Sequence, residues 1–379
     1  MNLQEDVIVP GTLEKIVALT GGQKGKPFIL ENTAGEKVVV KFQKENPADA
    51  LAGSHILAKA EVRTPKIRLL KPDELPVLSA AVETLRDRFG TVVYAYAEAQ
   101  RQFQHALVMD FVEGASTLKD LRKGTLIEFL TVICDAEFQR ELGKIIAADA
   151  FAGNFDRMYA LRAGNNVVGW YHEQNTLISN GKPVAIDNGF NPYVFDKIAP
   201  WGQYVGNAGF QTMSLASAEK GLAKIEAGAL FDKFMESALS DHPDEHSHID
   251  VAKGRKQAFI EQVSHTATET MKQLLKRGQH WKGQFTNQGI EEKVLGKFSR
   301  RKKILRMLAA GIAPDIAVSN TGDPAAEGYR KFVLVSELGL TDIEAEQILQ
   351  KPIDEYKKLM AEYRARLAVV QVAAEPDSL

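Results

Sequence analysis

Apolar positions follow two different spacings along this chain. Up to about residue 190, short β-branched and apolar runs are broken by glycine, asparagine and proline, the punctuation of strands and turns. Strands are expected at Glu14 to Thr20, Pro27 to Asn32, Val38 to Phe42, Pro65 to Leu70 and His105 to Val112. A helix is expected over Pro47 to Ala60 and a helix-rich insertion over Asp73 to Arg101. Asn175 to Ser179 and Pro183 to Ile186 read as a hairpin, because the intervening Asn180-Gly181 tolerates the positive φ of a tight turn. Past Pro200 the apolar residues recur at helical spacing, over Leu215 to Leu239, Lys253 to Gly278, Ile290 to Gly311 and Tyr329 to Leu338. Thr341-Asp342-Ile343-Glu344 reads as a capping box. Pro352 then opens a helix whose stripe of Ile353, Tyr356, Met360, Tyr363, Leu367 and Val370 forms a packing seam.

Composition narrows the class. At 379 residues, 45% hydrophobic and 25% charged, the chain is ordinary for a globular protein and long enough for two lobes and a further module. It has no apolar run of membrane-spanning length, and Met1 to Pro10 lacks the apolar centre of a signal peptide. The single cysteine, Cys134, precludes an intrachain disulfide; its apolar setting predicts a buried, inert thiol and fits a reducing, cytoplasmic compartment. A net charge of −2 exerts no general pull on nucleic acid, which is an unlikely partner. Charge is uneven locally, however. Arg300-Arg301-Lys302-Lys303 is a candidate contact for an anionic lipid or inositol polyphosphate, although a solvated helical face is the commoner use of such a cluster. Ser240 to His248 is expected to be a polar linker, since its histidines match no tight zinc spacing.

Chemistry concentrates between Asp149 and Asp187. The hairpin would set Asn175 and Asp187 at neighbouring strand ends, and Asp156 lies on the preceding loop. Together these give three oxygen-bearing side chains able to hold Mg²⁺ and orient a hydroxyl, which phosphoryl transfer requires. Lys41 ends a β-branched run, where a cation is costly unless it meets an anion. Gly21, Gly22 and Gly25 lie between the first two strands, where bare backbone N–H groups can approach phosphate oxygens.

The order of these parts resembles the protein-kinase superfamily. The D-x-x-x-G-N-x-D-R run from Asp149 to Arg157, followed by Asp187-Asn188-Gly189, is similar to its atypical branch: actin-fragmin kinase, type II phosphatidylinositol 4-kinases, Golgi casein kinases and related bacterial effector kinases. The likeness covers about Glu14 to Pro200. It implies an α+β, bilobal kinase-like fold with an antiparallel N-lobe sheet plus helix, a helical C-lobe and an all-helical C-terminal extension. The corresponding boundaries are 1–112, with the insertion at 73–101, then 113–240, 250–372 and a disordered tail at 373–379. It also implies ATP and Mg²⁺ or Mn²⁺ as cofactors. Asp156 would face the acceptor hydroxyl, Asn175 and Asp187 would hold metal, and Lys41 would hold the α- and β-phosphates. Arg157 belongs to the same catalytic set and is expected to brace the loop. Gly21, Gly22 and Gly25 would cover the phosphates, with Met109, Asp110, Val112 and Ile186 lining the adenine side.

The pattern departs from the family in two places. The helix after Lys41 contains no Glu to pair with it, so the lysine is expected to meet Asp187 or another acid. Met158 stands where relatives often carry His, and a loop is expected to be inserted around Leu161 to Trp170. Asp149 and Asn154 also have the spacing of the catalytic Asp and Asn of ordinary kinases; Asp156 is the preferred base. The resemblance favours a protein Ser/Thr kinase, and its bacterial effector members point to an effector or toxin acting in a host cell as one form of that reading. A phosphoinositide kinase and a catalytically silent scaffold are the alternative readings.

Overall fold

The computed structural model describes residues 12–19, 25–43, 47–103, 105–152, 154, 157–163, 166–171, 173–189, 220–277 and 325–374, with isolated positions 303, 307, 316 and 320. The chain is α+β and divides into two compact units, residues 1–191 with 220–296, and residues 192–219 with 297–379. The helices expected in an extension from residue 250 are thereby shared between the units.

The first unit opens with strands β1 (Leu13–Ala18), β2 (Gly25–Asn32) and β3 (Lys37–Gln43), then helix α1 (Pro47–Lys59) and strand β4 (Ile67–Leu69). Helices α2 (Glu74–Glu83) and α3 (Arg86–Gln102) precede β5 (His105–Asp110). The five strands form one antiparallel sheet in the order β1-β2-β3-β5-β4. Alternation along β3 places Val38, Val40 and Phe42 on one face and Val39 and Lys41 on the other. The first face is buried under α2 and α3, where Phe28, Phe42 and Tyr96 meet edge to face with centroids 4.9 to 6.2 Å apart. The insertion at 73–101 thus completes a core that a bare sheet would leave wet. On the second face, Leu51 of α1 packs with Ile67 and Leu107, and Leu107 is the β5 partner of Lys41.

After β5 come a short strand β6 (Ser116–Thr117) and helices α4 (Leu118–Gly124), α5 (Leu126–Cys134) and α6 (Ala136–Ala152). Strands β7 (Met158–Ala163) and β8 (Asn166–Tyr171) pair antiparallel, so the stretch expected as an inserted loop is a hairpin. A 3₁₀ turn (Glu173–Asn175) leads into β9 (Thr176–Ser179) and β10 (Lys182–Ala185), and β6 joins β9 to make a three-stranded sheet. Helices α7 (Lys220–Asp241), α8 (His246–Lys253) and α9 (Lys256–Arg277) complete the unit. Phe129, Phe138, Leu142, Phe231, Phe234 and Phe259 form its helical core. Cys134 is only partly buried at the edge of that core, and its thiol is pushed up from the ordinary range by desolvation. The expected linker at Ser240 to His248 is shorter than anticipated, because helix α7 runs to Asp241 and α8 starts at His246.

In the second unit, helices α10 (Ala325–Leu338), α11 (Asp342–Leu349) and α12 (Ile353–Ala374) are described. Helix α10 ends at Gly339, whose φ of 67° suits a left-handed cap, and Leu340 N–H returns to Leu334 O at 3.3 Å. The capping box forms as expected: Thr341 accepts from Glu344 N–H, and the Glu344 carboxylate accepts from Thr341 N–H at 2.8 Å. From the seam on α12, Tyr356 and Met360 are buried, as are Val333 and Leu334 of α10 and Ala345 of α11.

Candidate active site

The β9–β10 hairpin positions the centre of the site. Asn180 and Gly181 both have positive φ, 54° and 70°, so the turn twists with its strands and sets Thr176 opposite Ala185. The ladder continues one step, with Ile186 N–H donating to Asn175 O at 3.1 Å. This brings Asn175 to the residue preceding Asp187. Asp187 itself lies at φ 54°, a left-handed conformation that Asp tolerates better than most residues, and its side chain is 50% exposed.

Lys41 reaches this loop from the sheet. Its position on the α1 face of β3 aims the ammonium at Asp187, with which it forms an ion pair. The two groups lie 146 residues apart in sequence and answer the cost of placing a cation on a central strand. Gly25, across from Gln43 on β3, has no room for a side chain: a Cβ would lie 2.8 Å from Phe42 O and 3.0 Å from Lys41 Cε.

Arg157 holds the loops from beneath. Its side chain is 1% exposed, and its guanidinium donates to Asp149 at 2.8 Å, to the carbonyls of Asn175 and Ile186, and to Asn188 Oδ1 at 2.6 Å. It therefore ties together both ends of the β9–β10 hairpin. Asp149 also accepts from Asn154 Nδ2 at 3.1 Å. Burial pushes the Asp149 carboxyl up, while the Arg157 guanidinium and the Asn154 amide oppose that shift. A carboxylate enclosed in this way braces the loop, and helix α6 presents it inward from its last turn.

The 3₁₀ turn carrying Asn175 has its own anchor. Arg122 of α4 binds Glu173 bidentately, with both contacts at 2.8 Å, and also meets Asp241 and the carbonyl of Ser237 on α7. His242 Nε2 is 2.7 Å from the carbonyl of Arg122, so this histidine serves the same junction.

The adenine-side candidates sit at the end of β5. Met109 packs beside Leu51, Ile67 and Leu107. Asp110 N–H donates to Lys66 O at 3.0 Å, and its carboxylate accepts from Lys66 N–H, so the edge of Asp110 toward β4 is already engaged. Beyond it, Lys37 pairs with Glu113 at 3.1 Å and lies 5.3 Å from the Phe111 ring centroid. Val112 is half-buried after the strand, and Ile186 is half-buried just before Asp187. Gly21, Gly22, Asp156, Arg300 and Arg301 lie outside the described residues.

Asn175 and Asp187 supply hard oxygen donors at adjoining positions, the donor type Mg²⁺ prefers. A Mg²⁺ site commonly uses one or two protein oxygens and leaves the remaining positions to phosphate and water. Among the described residues there is no cluster of three or more His, Cys, Asp or Glu suited to a metal. The sequence did not single out Asn188, whose amide meets Arg157, Thr64 and Ser54, or Gly53, where a Cβ would lie 2.9 Å from Asn188 O. The signal available for them was the middle residue of the D-N-G triplet and a glycine inside an expected helix.

No family model matches the chain. No curated protein matches it either. Among solved structures, a crystal structure of Cex1p is similar at 12% identity and TM-score 0.28, covering 95% of this chain and 66% of that one. The chain thus spans just under two thirds of that protein's solved length. Glucosamine kinase in complex with glucosamine, ADP and inorganic phosphate is similar at 11% identity and TM-score 0.20, covering 85% of this chain and 96% of that one.

Proposed function

We propose that this protein is an ATP- and Mg²⁺-dependent phosphotransferase of bilobal, protein-kinase-like architecture that transfers phosphate to a Ser or Thr hydroxyl of a protein. The observation that carries the reading is the ion pair between Lys41 and Asp187: a strand lysine and a loop acid from distant parts of the chain meet beside the Asn175 strand end. The strand order β1-β2-β3-β5-β4, with α1 inserted between β3 and β4, supports it by placing Lys41 on the α1 face of the sheet. In this reading Lys41 neutralises phosphate oxygens, and Asp187 and Asn175 hold Mg²⁺. The metal, when bound, supplies charge neutralisation for the transferring group. Asp156 orients the acceptor hydroxyl, and Arg157 holds both strand ends in register from below. Positioning and electrostatics do most of the catalytic work.

The test is incubation with γ-labelled ATP and Mg²⁺, offering protein acceptors and phosphoinositide vesicles in parallel. Wild type should label protein, while Asp156→Ala and Asp187→Ala should not. Equal labelling by all three proteins would remove the assignment, and labelling of vesicles alone would move it to lipid kinases.

A further inference from the structure

Asn188, the residue after Asp187, is 7% exposed and joins three segments of the first unit. Its amide oxygen accepts from Arg157 at 2.6 Å; its amide N–H groups point to Thr64 Oγ1 at 2.7 Å and Ser54 Oγ at 3.2 Å. A carboxamide suits this place because it presents an acceptor and two donors on one planar group. Ser54 lies on helix α1, and Thr64 follows that helix on the way to β4. The same stretch is tied to the hairpin directly, since Ala185 N–H donates to Arg63 O at 2.8 Å.

The approach of α1 is close because residue 53 has no side chain. A Cβ at Gly53 would lie 2.9 Å from Asn188 O and 2.9 Å from Gly189 C, both backbone atoms that cannot swing away. Glycine inside a helix is destabilising relative to alanine. Here that cost is offset by the contact that the missing side chain permits. Helix α1 has no Glu to offer Lys41, and it meets the Asp187 loop through bare backbone and neutral hydrogen bonds.

We propose that Asn188 is the positioning residue of the site: it locks Asp187 in its left-handed conformation by hanging the loop on the Gly53-Ser54 stretch of α1. Its consequence for metal binding rests on the reading of Asp187 given under Proposed function; the tie itself rests on the hydrogen bonds and the backbone contact. A displacement of α1 is passed to Asp187 through Asn188.

The test uses the full chain with Gly53→Ala, with Ser54→Ala and Thr64→Val combined, with Asn188→Ala, and with Thr64→Ser, which keeps the hydroxyl. Two quantities are read in variants that retain the wild-type far-ultraviolet spectrum. The first is amide exchange of the peptide spanning 185–189, and the second is Mn²⁺ affinity in the presence of a non-hydrolysable ATP analogue. Exchange should accelerate about tenfold in the first three variants, as local opening becomes easier, while Thr64→Ser stays near wild type. Mn²⁺ affinity should fall by about the same factor in the same three. Wild-type exchange in Gly53→Ala and in the Ser54/Thr64 pair would overturn the tie. Faster exchange with unchanged Mn²⁺ affinity would overturn the positioning role. Absence of Mn²⁺ binding by wild type would defeat the metal reading of Asp187, leaving the exchange result to decide the tie by itself.

Discussion

A guanidinium enclosed in protein is tolerable only when its charge and its N–H groups are answered, and Arg157 meets that condition with Asp149, two carbonyls and Asn188. Arg157→Met should therefore destabilise the first unit by about 3–5 kcal/mol, because Asp149 is left buried without its partner. Urea unfolding measures this, and a loss of about 1 kcal/mol or less, the range of a surface pair, would contradict the bracing role. Lys41→Met is the opposite case. Its partner is half exposed, so stability should change by about 1 kcal/mol or less. If Lys41 serves the phosphotransferase activity proposed above, transfer should fall by a factor of roughly 10²–10³, the effect of deleting a group aimed at developing charge. Thermal unfolding beside a rate measurement separates the two effects. Lys41 and Asp187 were legible in the sequence, and Asp187 was one of the acids Lys41 was expected to meet; which acid it meets is decided by tertiary placement across 146 residues of chain. Arg157 was expected to brace the loop, but its burial was not legible, because it depends on Asn175, Ile186 and Asn188 converging on it from distant parts of the chain.

At the scale of elements, local chemistry wrote the hairpins and caps plainly. The Asn180-Gly181 turn has positive φ at both residues, so Gly181→Val should weaken the β9–β10 hairpin by about 1 kcal/mol or more, since a β-branched residue is strained there. The loss should be visible as faster exchange of Ala185 and Ile186 amides. Thr341 and Glu344 cap α11, and hydrogen bonds from the Thr341 backbone and hydroxyl lower the Glu344 carboxyl below its ordinary value. For an acid whose folded value is depressed, the stabilising contribution is present above the unfolded value and lost as pH falls through the folded one. Protection of the first turn of α11 should accordingly hold at neutral pH and decline below about pH 4.3, the ordinary Glu value. Thr341→Ala should remove that acid-dependent step. The stretch at Leu161 to Trp170 was less legible. Val167, Val168 and Trp170 alternate poorly with polar residues, so the period-two signal of a strand was weak, although the pairing with Met158–Ala163 is regular.

In the whole molecule, the described residues proposed to bind nucleotide and metal all belong to the first unit. The α+β class was implied by the resemblance in motif order, and the alternation along β3 puts Lys41, with Lys37 at the start of the strand, on the face that also carries α1. The division of the later helices was not legible, because helical periodicity reports an apolar face without saying what covers it. Helix α9 packs on α6 and joins the first unit, whereas α10 to α12 form part of the second. No described helix is long and apolar enough to cross a membrane.

The most direct test of the Lys41–Asp187 account is calorimetric titration of ATP into wild type and Asp187→Ala, each with and without Mg²⁺. Wild type should bind ATP more tightly with Mg²⁺ than without it, and Asp187→Ala should bind equally weakly in both conditions. Absence of ATP binding by wild type, or the same Mg²⁺ enhancement in the variant, would contradict the account.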